Sequence, residues 1–262
     1  MPLDIKSYLK RINYRGSLAP SAETLCALQI AHLLAVPFEN LSIHAKEPIV
    51  LEDEALFTKI VKRRRGGFCY ECNGLFAALL RSLGFDVAML SAKVANAEGV
   101  FGPDFDHMTL LVSAAERWLV DVGFGDSFRE PLRLDERGEQ EQGNRAYRID
   151  ADGPDFTLMQ RSVGDKWGDE WSDEWKAQYR FTLQPHEYAD YEEMCRYHQT
   201  SPESHFTRGR ICSLATAEGR ISLSEMRFIT TSKTGEQQER TLMSQEAYVA
   251  ILAQRFGIVM TS

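Results

Sequence analysis

Apolar residues recur along this chain with two different periods, and the change between them divides it. In the first third they return every three to four residues. Leu25, Leu28, Gln29, His32 and Leu33 trace one face of a helix, with Ser21 placed to cap it and Glu23 in its first turn. Val36-Pro37 ends that helix, because a residue before proline avoids the α region. Residues 53–61 predict a second helix. The strongest pattern covers 69–83, where Cys69, Cys72, Phe76, Leu79, Leu80 and Leu83 share a face and Gly84 closes the run. Cys69 is thereby placed in a first turn, on the inward side.

From Phe85 the period falls to two. Residues 87–90, 107–112, 118–122, 146–149, 156–159 and 179–183 predict strands. Gly99-Val100-Phe101-Gly102-Pro103 reads as a loop and 135–143 as an exposed turn, while 164–175, rich in Trp, Asp and Glu, has no assignable period. After Gln184-Pro185-His186 the helical period returns through Tyr188, Tyr191 and Cys195. Residues 211–214, 220–223 and 226–230 are short strands and 244–256 a final helix. Helices, then strands, then a mixed segment specify an α+β protein in three parts: helical over 1–84, strand-rich over 85–185, and mixed over 186–262.

The 262 residues are 44% hydrophobic and 26% charged, the composition of an ordinary soluble globular protein. A formal net charge of -8 argues against nucleic acid or an anionic membrane as partner. The basic run Lys62-Arg63-Arg64-Arg65 reads equally as a solvated structural face or as a contact for a small anion. The N-terminus lacks the apolar stretch of a signal peptide, and no apolar run approaches the roughly 20 residues of a membrane span. Cysteines at 26, 69, 72, 195 and 212 are odd in number and irregularly spaced, which predicts free thiols and a cytoplasmic location.

Cys69 carries the most chemistry. A free thiol has a pKa of about 8.5, lowered by a helix N-terminus or an adjacent imidazolium. Of the six histidines, His107 is paired in sequence with Asp121 across a predicted hairpin. If the turn centres on Ala115, Asp121 lies opposite Thr109 and becomes a diagonal neighbour of His107 on one face; a one-residue slip would separate them. The carboxylate would then fix the imidazole tautomer, and a thiol, imidazole and carboxylate would form a nucleophilic triad. The alternative is a core histidine with a strand-end aspartate. The Cys69–Cys72 spacing admits a redox dithiol, half a zinc site, or, preferred here, a buried small residue at Cys72. Cys195 and Cys212 are isolated, so no metal site is expected. Gly123 and Gly125 would let a ligand approach the backbone. Phe38 and Phe124 fit either a flat pocket or plain core packing.

Together, Val36-Pro37-Phe38-Glu39-Asn40-Leu41, Arg64-Arg65-Gly66-Gly67-Phe68-Cys69-Tyr70-Glu71, Asp106-His107, Asp121-Val122-Gly123-Phe124-Gly125, Pro131-Leu132-Arg133-Leu134 and Ser201-Pro202-Glu203-Ser204-His205-Phe206 resemble the arylamine N-acetyltransferases, in that family's order and over most of the chain. The resemblance implies a cysteine-protease-like fold: an N-terminal helical bundle, a central β-barrel and a C-terminal α/β lid. It implies Cys69 as nucleophile, His107 as base and Asp121 as orienting carboxylate. Acetyl-CoA would be the donor, and an arylamine, hydrazine or N-hydroxyarylamine the acceptor. Phe38, Phe124, Gly123 and Gly125 would meet the acceptor, and Gly99, Val100, Phe101 and Gly102 would lie near the coenzyme. Arg65 and Glu39 would support the site without taking part in the chemistry. Cys72 stands where the family pattern has no thiol. Other readings of the same trio are an amide synthase on a polyketide aromatic amine, a cysteine hydrolase or a transglutaminase. A binding module with an inert core thiol is the non-enzymatic reading.

Overall fold

Caps decide where the N-terminal helices begin. In the computed structural model, which describes residues 3–163 and 174–260, α1 spans Ile5–Arg11 and the Asp4 carboxylate accepts from the Ser7 N–H at 3.1 Å. Helix α2 (Ala22–Ala35) starts on Ser21, whose Oγ accepts from the Thr24 N–H at 3.3 Å, and stops before Val36-Pro37. Strand β1 (Phe38–Glu39) and helix α3 (Leu41–His44) follow. Helix α4 (Asp53–Phe57) widens into a π-turn over Thr58–Lys62, so the helix expected at 53–61 is present but not uniform.

Helix α5 (Cys69–Ser82) differs from its sequence pattern in one respect. One apolar face was expected, yet every residue from Cys69 to Leu80 is buried, Tyr70, Glu71 and Asn73 included. Elements from all three parts of the chain pack around it. A helix covered on every side must pair its polar side chains internally, and this one does so on two sides of its first turns.

The strand-rich part forms one antiparallel sheet. Its members are β2 (Asp86–Val94), β3 (His107–Ser113), β4 (Arg117–Val120), β5 (Leu132–Arg133), β6 (Gln140–Gln142), β7 (Arg145–Asp152), β8 (Asp155–Ser162) and β9 (Lys176–His186), in the order β5-β4-β3-β2-β9-β8-β7-β6. The two edges meet through two β6 side chains: the Arg133 N–H donates to Gln140 Oε1 at 2.8 Å and Gln140 Nε2 to the Arg133 carbonyl at 3.1 Å, while Gln142 bonds the Arg129 and Glu130 backbone just before β5. The sheet is thus a nearly closed barrel. Strand β6 lies inside 135–143, where only a turn was expected. It is short and polar, so no alternation marks it. Of the unassigned stretch 164–175, residues 164–173 lie outside those described.

The last part begins with α6 (Tyr188–Thr200) and α7 (His205–Arg208). It continues through β10 (Ile211–Thr216), β11 (Gly219–Ser224), β12 (Arg227–Ser232) and β13 (Gln237–Thr241) to α8 (Gln245–Ile251), which runs on as a π-turn over Leu252–Phe256. Strand β13 was not expected, because all five of its residues are exposed and polar. The sheet order is β1-β10-β11-β12-β13, so Phe38 and Glu39 pair with Ser213 and Cys212. Helix α6 puts Tyr191 and Cys195 into the same core as Leu75 and Phe76 of α5. Both junctions tie the segment after residue 186 to the helical part.

Candidate active site

The hairpin register determines the first pair of the site. Leu110 faces Val120 and Leu111 faces Leu119, and the same register carried one step beyond β4 sets Asp121 opposite Thr109, as the turn at Ala115 requires. His107 is then the diagonal neighbour, and its Nε2–H donates to Asp121 Oδ2 at 2.7 Å, both residues being buried. The carboxylate fixes the tautomer, with the proton on Nε2. Among the described residues no protein group bonds His107 Nδ1.

The other oxygen of Asp121 is held just as firmly. Oδ1 accepts from Asn73 Nδ2 at 2.9 Å and from the Gly123 N–H at 2.8 Å. Asn73 also donates to the Met108 carbonyl at 2.6 Å and accepts from the Val122 N–H at 2.8 Å. One amide on α5 therefore clamps the end of the hairpin to the helix that Cys69 opens. Sequence reasoning passed over Asn73, although a signal existed: it lies four residues after Cys69, hence on the same helical face. Tyr179 was also missed. Its ring lies 5.2 Å from the His107 ring and its hydroxyl 3.3 Å from Thr109 Oγ1. As one aromatic among many in the strands, it carried no mark.

Cys69 opens α5 beside this pair. A Cβ added to Gly123 would lie 2.8 Å from the Cys69 Cα and from Asn73 Nδ2, so only glycine lets the loop after Asp121 close on the helix start. Gly125, at φ +91, needs glycine for its left-handed backbone. The thiol is 3% exposed. Burial pushes its pKa well above the ordinary range, the Met108 backbone pulls it down, and the carboxylates of Asp121 and Asp106 push it further up. This corrects the expectation that the helix start alone favours the anion: desolvation outweighs it.

The neighbouring rings and loops divide. Phe124 meets the His107 ring edge-on at 5.1 Å, and Phe38 packs beside Gly125 and lies 6.2 Å from Phe206. The 99–102 loop is folded on itself. Asn96 Oδ1 accepts from the Glu98 and Val100 N–H groups, the Gly99 N–H donates to the Asn96 carbonyl, and the Gly102 N–H donates to the Val94 carbonyl. Phe101 lies under the Arg180 guanidinium at 4.3 Å. The Gly99, Val100 and Gly102 amides are thus already engaged. A cavity of about 230 Å³ begins at Asp126, just past Gly125, and Arg129, Arg145, Arg220 and Lys233 line it between the barrel and the C-terminal sheet.

The remaining candidates have structural partners. Arg65, from the basic run, donates from Nε and Nη2 to the two Glu39 oxygens at 2.9 and 3.1 Å, fully buried, and Glu39 Oε2 also accepts from the Leu41 N–H at 2.7 Å. Arg63 pairs with Glu47 at the surface. Cys72 Sγ donates to the Gly67 carbonyl at 3.2 Å. All five cysteines are free, and among the described residues no group of three or more His, Cys, Asp or Glu side chains is arranged to hold a metal. No helix among those residues is long and apolar enough to cross a membrane.

Comparison with known proteins identifies the family. The sequence profile of an N-acetyltransferase family matches residues 21–262. The arylamine N-acetyltransferase of Mycolicibacterium smegmatis is 36% identical over 98% of this chain and 93% of its own length. Proansamycin X synthase of Amycolatopsis mediterranei is 29% identical over 95% of both. The structure of the Mycobacterium marinum arylamine N-acetyltransferase in complex with CoA superposes with a TM-score of 0.86 at 33% identity, covering 97% of this chain and 93% of that one. With a family match over most of its length and full-length relatives above 30% identity, this chain belongs to the arylamine N-acetyltransferases.

Proposed function

We propose that the protein moves an acetyl group from acetyl-CoA to an arylamine, hydrazine or N-hydroxyarylamine by way of an acetyl-Cys69 thioester. The reading rests most heavily on the His107–Asp121 bond at 2.7 Å beside a buried thiol. Burial disfavours a lone thiolate, so the sulfur ionises only as His107 Nδ1 takes its proton, and Asp121 stabilises the imidazolium. The sulfur attacks the acetyl carbonyl, the bond from that carbon to the CoA sulfur breaks, and the CoA sulfur leaves with the proton from His107. The amine then attacks the thioester, His107 accepts its proton, and the Cys69–carbonyl bond breaks to free the thiol. The Cys69 and Tyr70 N–H groups, at the start of α5, donate to no other protein group among the described residues and suit the oxyanion.

Phe124, lying on the His107 ring, and Phe38, beside Gly125, suit a flat acceptor. For the coenzyme, the 99–102 loop offers the Phe101 and Val100 side chains more than amides, and Lys233, beside arginines already bonded to Asp126 or to backbone carbonyls, suits a phosphate. The overall arrangement supports a cysteine-protease-like fold in which the residues after 186 act as a lid. Five free thiols support a reducing, cytoplasmic setting. The likeness to a synthase favours a second reading, an amide synthase on a polyketide-borne aromatic amine with the same thiol chemistry.

Mixing the protein with acetyl-CoA alone is expected to add the mass of one acetyl group, located on Cys69 and absent from Cys69→Ala, and an added arylamine is expected to discharge it. An unchanged mass, or acetylation that survives Cys69→Ala, contradicts the proposal. An acetylated enzyme that no arylamine, hydrazine or hydroxylamine discharges favours the second reading.

A further inference from the structure

A second histidine–aspartate contact adjoins the first through Asp106, the residue before His107, and the reaction above does not use it. His198 of α6 is buried, and its Nε2 lies 3.3 Å from Asp106 Oδ1. Its Nδ1 lies 3.1 Å from the Oγ of Ser204, the residue that caps α7. Aromatic rings enclose His198, with Phe206 at 5.1 Å and Tyr70 at 6.2 Å. Among the described residues Nε2 has no hydrogen-bond partner, so the contact with Asp106 depends on charge, and charge in such surroundings is poorly screened.

Asp106 immediately precedes His107, and Tyr70 immediately follows Cys69. The two neighbours are joined: the Tyr70 hydroxyl donates to the Phe105 carbonyl at 2.5 Å and reaches the Asp106 carbonyl at 3.4 Å. Phe105 has φ +63, a left-handed backbone that a phenylalanine rarely adopts, and its N–H donates to Ser91 Oγ at 2.8 Å. The turn that delivers His107 is therefore strained and held from outside. Gly102 closes against the same carboxylate, since a Cβ there would lie 2.8 Å from Asp106 Oδ2.

We propose that His198 is a positioning residue: its charge neutralises the Asp106 carboxylate beside the nucleophile, and the pair fixes the turn that sets His107 against Cys69. This rests on Cys69 being the nucleophile and His107 its base. The charge at Asp106 matters because Asp106 and Asp121 are the two carboxylates that disfavour the Cys69 anion, and the Cys195 thiol adds to them. The titratable groups around His198 itself are Asp106, Tyr70, Tyr197 and His205.

The test reads the pH midpoint of Cys69 alkylation by iodoacetamide, together with kcat and KM. His198→Leu leaves Asp106 unneutralised and is expected to raise the midpoint by about one pH unit. It is also expected to lower kcat about tenfold with the KM of the amine little changed. His198→Gln, which keeps a donor but no charge, is expected to raise the midpoint likewise and serves if the leucine variant does not fold. The double variant His198→Leu with Asp106→Asn is expected to return the midpoint to that of the unaltered protein, because no charge remains to oppose the thiolate. A packing role alone gives no such return. Unaltered midpoints in both single variants, or a double variant that stays shifted, overturn the proposal. Failure of the unaltered protein to acetylate Cys69 would instead sink the reading on which it rests.

Discussion

Two buried polar clusters flank the start of α5, and they are finished differently. On one side Glu39 meets Arg65 and Glu71 meets Lys59, the latter at 2.6 Å. Backbone groups take up further bonds there, with the Leu41 N–H on Glu39 and the Phe68 N–H on Glu71 Oε2. On the other side Asp121 is equally saturated by His107, Asn73 and the Gly123 N–H. There the saturation stops short of two atoms, His107 Nδ1 and Cys69 Sγ. Among the described residues His107 Nδ1 has no bonding partner and the Cys69 thiol finds only the Met108 backbone. A cluster closed at every atom holds a fold together. One closed up to its last two atoms is what the proposed acetyl transfer requires.

If that contrast is right, the two sides respond oppositely to substitution. Asp121→Asn keeps the shape but destroys the tautomer control of His107, and the rate of acetyl transfer is expected to fall about 10⁴-fold. The melting temperature should move far less than in the next variant, and steady-state kinetics beside a thermal melt would check both. Arg65→Leu does the reverse. It strands the buried Glu39 carboxylate, which Lys59 and Arg65 together hold below its ordinary range against the opposing effect of burial. The expected cost is about 3–5 kcal/mol, seen as a melting temperature lower by roughly 10 °C, with activity per folded molecule largely kept below the melt. Loss of activity without loss of stability in Arg65→Leu would erase the distinction.

A smaller effect tests the helical core away from both clusters. His32 is buried in α2, with Nδ1 2.8 Å from the Tyr8 hydroxyl, and burial lowers its pKa from 6.5 to about 3. Below pH 6.5 the unfolded chain binds this proton and the folded one does not. Stability is therefore full above 6.5 and drains as the pH falls toward 3, by at most about 1.4 kcal/mol per unit. His32→Gln is expected to flatten that part of a denaturation series between pH 6.5 and 4. An unchanged slope would mean that His32 is protonated in the folded state.

The chemistry-bearing segments were legible because each rests on local pattern. The apolar period and Gly84 bounded α5, and alternation with a turn at Ala115 gave the register that joins His107 to Asp121. What escaped depends on distant chain. Pairing of β1 with β10 joins segments far apart in sequence, and the polar strands β6 and β13 bury too little to show a period. The raised Cys69 pKa was missed for the same reason. The helix start can be read from a few residues, whereas the burial that opposes it is supplied by the whole fold.

The central claim is that the Cys69 sulfur becomes anionic only in concert with His107. Its most direct test is the pH dependence of Cys69 alkylation in the unaltered protein and in His107→Gln. The account predicts alkylation well below pH 8.5 in the first, and a midpoint displaced above the range of an ordinary thiol in the second, where burial acts unopposed. Coincident curves for the two proteins would contradict it.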